Sequence, residues 1–394
     1  MADGEASNWQ GTLARLLSQE NWPEDLNEIV EKLSNNIPLS LDDGKFLFQY
    51  RDLDVIGHLA GIVKHARYGN KVFFNVNVHI NQTNICTLAC KFCAFRRGRR
   101  AEDAYQLEIS DYIEDLYNYS NHVDEVHSVG GLHPEWGIEH YTELFRRTRE
   151  EFPHIHIKAL TAVEIKHIAK LSGLSILETL SRLKKSGLAS LPGGGAEILD
   201  DEVRGIICRG KESSEEYLEI HRTAHYLDIP TNCTMLYGTI ETIEHRVMHM
   251  IKLRELQDET AGFQCFVPYP FLPDDSRLPE AQLATGTEVL RVIAISRLML
   301  NNIPHIKAYR MNLGDEVSEL ALQFGADDID GTVQEESIMH LAGSTAPLDH
   351  DKARLAKIVS NSGSIPVQRN TTYTSFVEFN PPIVPKRRSL RMAR

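Results

Sequence analysis

The chain has 394 residues, a net charge of −13 and 42% apolar residues, with a pI of about 5.7. That length suits one α/β barrel of about 250 residues with an appendage, and the acidic balance argues against broad binding to a phosphate backbone. No run approaches the ~18 to 20 apolar residues of a membrane span, and the start, MADGEASNWQGTLARLL, lacks the basic-then-apolar pattern of a secretory signal, so a cytoplasmic protein is expected.

Residues 1–71 read as an N-terminal helical cap. LARLLSQ, LNEIVEKLSNNI and DVIGHLAGIVKHARYG carry apolar residues three and four apart, and Ser40 with Asp42 and Asp43 marks a helix start before GKFLFQY. From residue 72 to 345 short β-branched or apolar runs alternate with helical patterns. The predicted strands are 72–80, 123–130, 154–160, 189–193, 229–237, 262–269, 305–311 and 326–331. Such alternation predicts parallel strands joined by helices: a (β/α)8 or slightly open TIM-like barrel, with a doubly wound open sheet as the alternative. Residues 346–394 form a C-terminal extension, a strand or irregular segment that ends in the basic tail Lys386, Arg387, Arg388, Arg391 and Arg394, read as a solvated end. The cap and the extension are candidate lids for the barrel.

In such a barrel, chemistry gathers where the strands end. Asn81, Asn84 and three cysteines follow the first strand, and Gly130, Gly131, His133 and Glu135 the second. Thr161 and Glu164, Gly193–Gly195 and Glu197, Thr234 and Glu241, Gln264 and Pro268, Arg310, and Asp327, Asp328 and Asp330 follow the others. Any one of these is as naturally a turn or helix cap; the ring as a whole points to a site.

The densest signal is NICTLACKFCAF, where Cys86, Cys90 and Cys93 stand in C-x3-C-x2-C spacing. Thiolates hold [4Fe–4S] clusters, four in the usual electron carrier. Three leave one iron open, and an open position separates a reactive metal site from a closed one. A zinc site that borrows a distant histidine is the alternative. The scattered Cys208, Cys233 and Cys265 read as buried small hydrophobes or idle thiols.

This loop, with Phe92 before its last cysteine, resembles that of the radical S-adenosylmethionine superfamily. The resemblance implies a [4Fe–4S] cluster on Cys86, Cys90 and Cys93, and S-adenosylmethionine on the free iron as co-substrate. It implies backbone contacts to the methionine part at Gly130 and Gly131, where Leu132 stands in place of the family's glutamate and Glu135 follows four residues later. Glu164 suits the ribose hydroxyls, with a first-turn helix glutamate as the alternative; Gly194 suits a close backbone approach, and Glu197 the adenosine or the start of the next helix.

Within the superfamily, NVHINQTNICTLACKFCAF, SLPGGGAEIL and FGADDIDGTVQEESIMHLAG resemble the group of aminofutalosine synthases, dehypoxanthine futalosine cyclases and deazaflavin-precursor synthases, the synthases above all in the last segment. That resemblance implies addition of the adenosyl radical to 3-[(1-carboxyvinyl)oxy]benzoate, then rearrangement and decarboxylation to 6-amino-6-deoxyfutalosine in menaquinone biosynthesis. The implied partners are this aromatic enol-ether dicarboxylate and an electron donor such as flavodoxin or ferredoxin, with no nucleic acid. Cationic or hydrogen-bonding groups should meet the dianion, and Arg310, His133 and Lys307 are the candidates, with Arg310 at a position where the group's pattern has tryptophan. The cyclase reaction is the alternative within the group. An iron–sulfur sensor or electron carrier, with a fourth protein ligand, is the alternative outside enzymes, and radical modification of nucleic acid is kept open by Arg96–Arg100.

Overall fold

The computed structural model describes residues 9–380, so the basic tail lies outside the described residues. Helices Trp9–Leu17, Asn27–Ser34, Leu41–Gln49 and Leu53–Tyr68 open the chain. The expected start at Ser40 is a reciprocal cap: Ser40 Oγ accepts the Asp43 N–H, and the Asp43 carboxylate accepts the Ser40 N–H at 2.7 Å. Leu53–Tyr68 packs along Gly286–Met299, and Leu41–Gln49 against Ile243–Thr260. Glycine makes one of these approaches possible, because a Cβ at Gly57 would sit 2.4 Å from the Phe324 ring. Leu13, Leu17, Leu47 and Leu59 join Val292, Ile293 and Leu298 in one apolar cluster with the rest of the chain, each buried side chain stabilising it by roughly 1.5–3 kcal/mol.

The strands are β1 (Lys71–Asn75), β2 (Asn77–His79), β3 (Glu125–Ser128), β4 (His156–Ala159), β5 (Thr231–Tyr237), β6 (Phe263–Pro270), β7 (His305–Ile306), β8 (Asp328–Gly331), β9 (Ile365–Arg369) and β10 (Phe376–Glu378). All pairings are parallel except that of β10 with β9. The expected α/β, TIM-like order is present. It is built as three sheets, β10-β9-β1-β8, β2-β3-β4 and β5-β6-β7, and not as one closed sheet.

Single bridges join the sheets: Lys158 to Ser190, Leu191 to Thr231, and Lys307 to Asp328. The expected strand at 189–193 shrinks to such bridges, because Pro192 has no N–H to give and Gly193 turns at φ 87°. The expected strand at 305–311 stops at Ile306, and a helix begins at Arg310. The stretch 71–79 breaks at Val76, whose carbonyl accepts the Asp124 N–H. Below the break β1 pairs with β8 and β9, and above it β2 pairs with β3. The C-terminal strand therefore fills the place beside β1 that β3 leaves free at the start of the barrel.

That lower end is shut by paired charge. Asp327 accepts from Arg297, His305 and the Ile306 N–H, while Asp328 accepts from Arg369 at 2.6 Å and the Tyr373 hydroxyl at 2.8 Å. His305 is sandwiched between the rings of Tyr68 and Tyr373, at 5.0 and 3.9 Å. Asp327 and Asp328, and Gln264 bonded to the Thr372 carbonyl, thus belong to the closed end and not to the expected ring at the strands' finish.

Candidate active site

At the other end, a cavity of about 290 Å³ is lined by residues between His79 and Ala342. None of the described residues of the cap or of the extension lines it. A larger depression of about 740 Å³ on the N-terminal helices, lined by Asp25, Phe46, Tyr50 and Asp52 among others, is open and carries none of the expected chemistry.

The loop after β2 supplies one wall. Cys86, Cys90, Phe92 and Cys93 all line the cavity. The loop is held by its backbone: Cys86 donates to the Arg97 carbonyl at 3.0 Å, Thr87 to Leu132 at 3.1 Å and Lys91 to Ile207 at 2.8 Å. Arg277 donates to the carbonyls of Ala89 and Cys90 from a distant segment. Of the nearby arginines, Arg96 lines the cavity and donates to the Leu88 carbonyl at 2.8 Å, and Arg97 caps the Ala94 carbonyl at 2.7 Å.

Burial pushes the Cys90 thiol up to about 12 and raises Cys93 as well. Among the described residues, no three side chains of His, Cys, Asp or Glu converge on a single ion. All three cysteines line one wall, a set suited to a cluster that takes each thiolate on a different iron. Cys208 is buried and close enough to raise Cys90, but it does not line the cavity.

Gly130 and Gly131 press against this loop. A Cβ at Gly131 would lie 2.3 Å from the Ile85 carbonyl oxygen, and one at Gly130 2.7 Å from Gln82 Oε1. The Gly130 N–H is taken by Glu164 at 3.0 Å. Glu164 also accepts the Thr161 N–H and hydroxyl, each at 2.7 Å, so it caps the helix Ala162–Ser172 while facing the cavity. Burial raises its carboxyl to about 7 against these three donors. Gly194 lines the cavity too, and a Cβ there would meet the Thr161 methyl at 2.9 Å. Glu197 sits at positive φ, 46°, and accepts from Lys211 at 2.5 Å. The Lys211 ammonium is 5.6 Å from the centre of the Phe92 ring.

Three expected site residues lie elsewhere. His133 is buried, but both ring nitrogens are spent: Nε2 lies 2.9 Å from Gln106 Oε1, and Nδ1 accepts the Glu135 N–H. Its ring stacks on Trp136 at 4.3 Å. Glu135 is 62% exposed and paired with Arg99 at 2.5 Å. Arg310, displaced by the early helix, donates to the Pro347 carbonyl and lies 3.6 Å from Asp315, behind the cavity wall.

Most of the residues that sequence reasoning missed are carried by strands, and Tyr309 and Glu336 by the segments that follow β7 and β8. Glu125, His79, His127 and Lys158 line the cavity, as do Asn232, Tyr269, Tyr309 and Glu336. Lys307, one of three expected cations, is also there, 3.3 Å from Asp330. The signal was polar residues at every second place in VDEVHSV and HIHIKAL. A parallel strand covered on both faces reads as continuously apolar, so alternation marks side chains that point into the ring.

Comparison with known proteins gives these features a setting. A model of the radical SAM superfamily matches residues 80–253, and one of the CofH/MqnC C-terminal region matches residues 260–380. An aminodeoxyfutalosine synthase of Thermus thermophilus is 43% identical over 350 residues, 88% of this chain and 94% of that one. A 5-amino-6-(D-ribitylamino)uracil–L-tyrosine 4-hydroxyphenyl transferase of Methanothermobacter thermautotrophicus is 38% identical over 85% of this chain and 94% of that one. A cyclic dehypoxanthine futalosine synthase of Streptomyces coelicolor is 33% identical over 91% and 90%. Among solved structures, methylornithine synthase superposes with a TM-score of 0.70 at 19% identity, over 86% of this chain and 97% of that one, a likeness of fold.

Proposed function

The chain belongs to the radical S-adenosylmethionine superfamily, and on that premise we propose that it joins the adenosyl part of S-adenosylmethionine to 3-[(1-carboxyvinyl)oxy]benzoate. Rearrangement and loss of one carboxylate then give 6-amino-6-deoxyfutalosine on the route to menaquinone. The observation that carries the reaction class is one cavity with the C-x3-C-x2-C loop as a wall and buried cations inside. The choice of substrate is supported by the 43% identity, over 350 residues, to a protein named for this synthesis.

Cys86, Cys90 and Cys93 would hold a [4Fe–4S] cluster as thiolates, releasing their protons to do so. When bound, the cluster and S-adenosylmethionine supply a 5′-deoxyadenosyl radical. Gly130 and Gly131 bring bare backbone against the cysteine loop, where a side chain would block a ligand. Glu164 and Glu197 present carboxylate oxygens suited to hydroxyl or ammonium donors of the co-substrate, and Lys211 neutralises Glu197. Leu132, Val267, Phe271 and Met339 close the lining with apolar surface, which keeps water and stray hydrogen donors from a radical. An electron carrier of the flavodoxin or ferredoxin type would serve it in the cytoplasm. Among the described residues, no helix is long and apolar enough to cross a membrane.

A second reading has an observation of its own. Glu125, Glu164, Glu197, Asp330 and Glu336 all line the cavity, and these acceptors also suit a substrate rich in hydroxyls and amines, such as those of the cyclase and tyrosine-transfer relatives. One experiment separates the readings. The protein is reconstituted anaerobically with iron and sulfide, reduced, and given S-adenosylmethionine with each candidate substrate in turn, with products read by mass. An adenosyl adduct of the enolpyruvyl benzoate, less carbon dioxide, supports the proposal. Product from dehypoxanthine futalosine or from tyrosine with the ribitylaminouracil, and none from the benzoate, overturns it.

A further inference from the structure

Three lysines line the cavity, and two are already matched. Lys211 is 2.5 Å from Glu197, and Lys307 is 3.3 Å from Asp330 and 3.4 Å from Asp328. Lys158 is different. Its side chain is 6% exposed, and among the described residues the one carboxylate it meets is Glu125, at 3.9 Å, beyond hydrogen-bond reach. Glu125 is shared, for Arg369 and His127 also act on it, and its Oε2 has no hydrogen-bond partner. Burial lowers the Lys158 ammonium; Glu125 opposes that fall, and Lys307 and Arg369 add to it. An ammonium that is 6% exposed, with no acceptor in hydrogen-bond reach among the described residues, is costly, and an anion placed against it would relieve both the desolvation and the crowding of cations.

Strand register says where that anion would lie. His79 is paired with His127, and His127 with Lys158, across β2, β3 and β4. All three side chains line the cavity, so they form one inward row beneath the cysteine loop. The two rings are 4.3 Å apart.

We propose that Lys158 anchors a carboxylate of the substrate, and that this is the carboxylate on the aromatic ring. The inference rests on the aryl dicarboxylate reading given above. Chemistry chooses between the two carboxylates. The enol-ether carboxylate is the one lost, and an ammonium gripping it would stabilise the ground state more than the transition state as its charge disperses. The ring carboxylate persists unchanged into the product. An ion pair there holds the ring in place for the migration onto it without resisting any bond change.

Equilibrium binding to the reconstituted protein loaded with S-adenosylmethionine, before any reductant is added, tests this. The probes are 3-[(1-carboxyvinyl)oxy]benzoate and its counterpart with a carboxamide on the ring. Wild-type protein is expected to favour the carboxylate by about 30-fold or more, and Lys158→Met to reduce that preference to within about threefold. Lys158→Arg keeps the charge and is expected to retain part of the preference. Iron content and the unfolding midpoint report whether each variant is folded. A wild-type protein that binds both probes equally, or a folded Lys158→Met that keeps the full preference, overturns the anchor. Should the methionine variant not fold, Lys158→Gln takes its place, and a folded Lys158→Gln that keeps the full preference overturns the anchor. Failure of the substrate reading looks different, since wild-type protein would then bind neither probe. Conversion of the benzoate by wild type, with full preference in the methionine variant, leaves the reading standing and removes the anchor alone.

Discussion

Where the strands begin, Asp327 is held by Arg297, His305 and a backbone N–H, and Asp328 by Arg369, Tyr373 and Lys307. Around the cavity, among the described residues, Lys158 has no hydrogen bond, Glu125 and Asp330 each have an oxygen without a partner, and burial raises the Glu164 carboxyl to about 7. Both ends bury charge. One satisfies it from within the chain, and the other leaves it facing a cavity. A saturated network does its work in the folded protein alone, and losing a member exposes an uncompensated charge. An unsaturated one makes sense when a ligand supplies the missing partners. Changes at the lower end should therefore register in stability, and changes at the upper end in chemistry.

The strongest break is at the cysteine wall. Cys90→Ala should abolish cluster assembly and cleavage of S-adenosylmethionine, read as iron content and released methionine, while the metal-free protein loses only about 1 kcal/mol of unfolding free energy. At the lower end, Asp327→Ala should cost about 3–5 kcal/mol in denaturant unfolding, because Arg297 and His305 are then left buried and unpaired.

The ends should also differ in the sign of their pH response. The Glu164 carboxyl is raised from 4.5 to about 7, so its contribution to stability is full below its unfolded value and lost as pH rises through about 7. Unfolding at about pH 5 and pH 8 should differ by up to roughly 3 kcal/mol from this group, and Glu164→Gln should remove that difference. Asp327 and Asp328 are lowered, by Arg297 with His305 and by Arg369 with Lys307, against burial that would raise them. Their contribution is present above the ordinary carboxylate range and fades as acid reaches their folded values, so acid weakens the lower end while base weakens the upper. Gly131→Ala should cost about 1–3 kcal/mol and loosen the cysteine loop, since the Ile85 carbonyl must give way. Glu135→Gln, exposed and outside the cavity, should stay within about 0.5 kcal/mol and leave turnover unchanged.

What the sequence made legible was local. The C-x3-C-x2-C spacing and the Gly130–Gly131 pair each lie within one loop and line the cavity, and the strand–helix alternation is read from near neighbours, although 189–193 shrinks to bridges and 305–311 to two residues. What it hid depends on partners distant in the chain. His133 looked like a site histidine until Gln106 and Trp136 were seen to occupy its ring. Arg310 was expected at a strand end, but β7 is two residues long and Arg310 starts a helix. The place of β9 beside β1 rests on pairing over nearly the whole chain. Lys158, Glu125 and His127 were readable as polar alternation, yet the row they form with His79 appears only once register is known.

The claim on which the rest stands is that three thiolates bind the cluster and leave one iron for the co-substrate. Electron paramagnetic resonance of the reduced, reconstituted protein with and without S-adenosylmethionine tests it most directly. The account predicts that the cluster signal shifts when S-adenosylmethionine is added and is absent in Cys90→Ala. A signal unmoved by S-adenosylmethionine, or a cluster that survives the loss of Cys90, would contradict it.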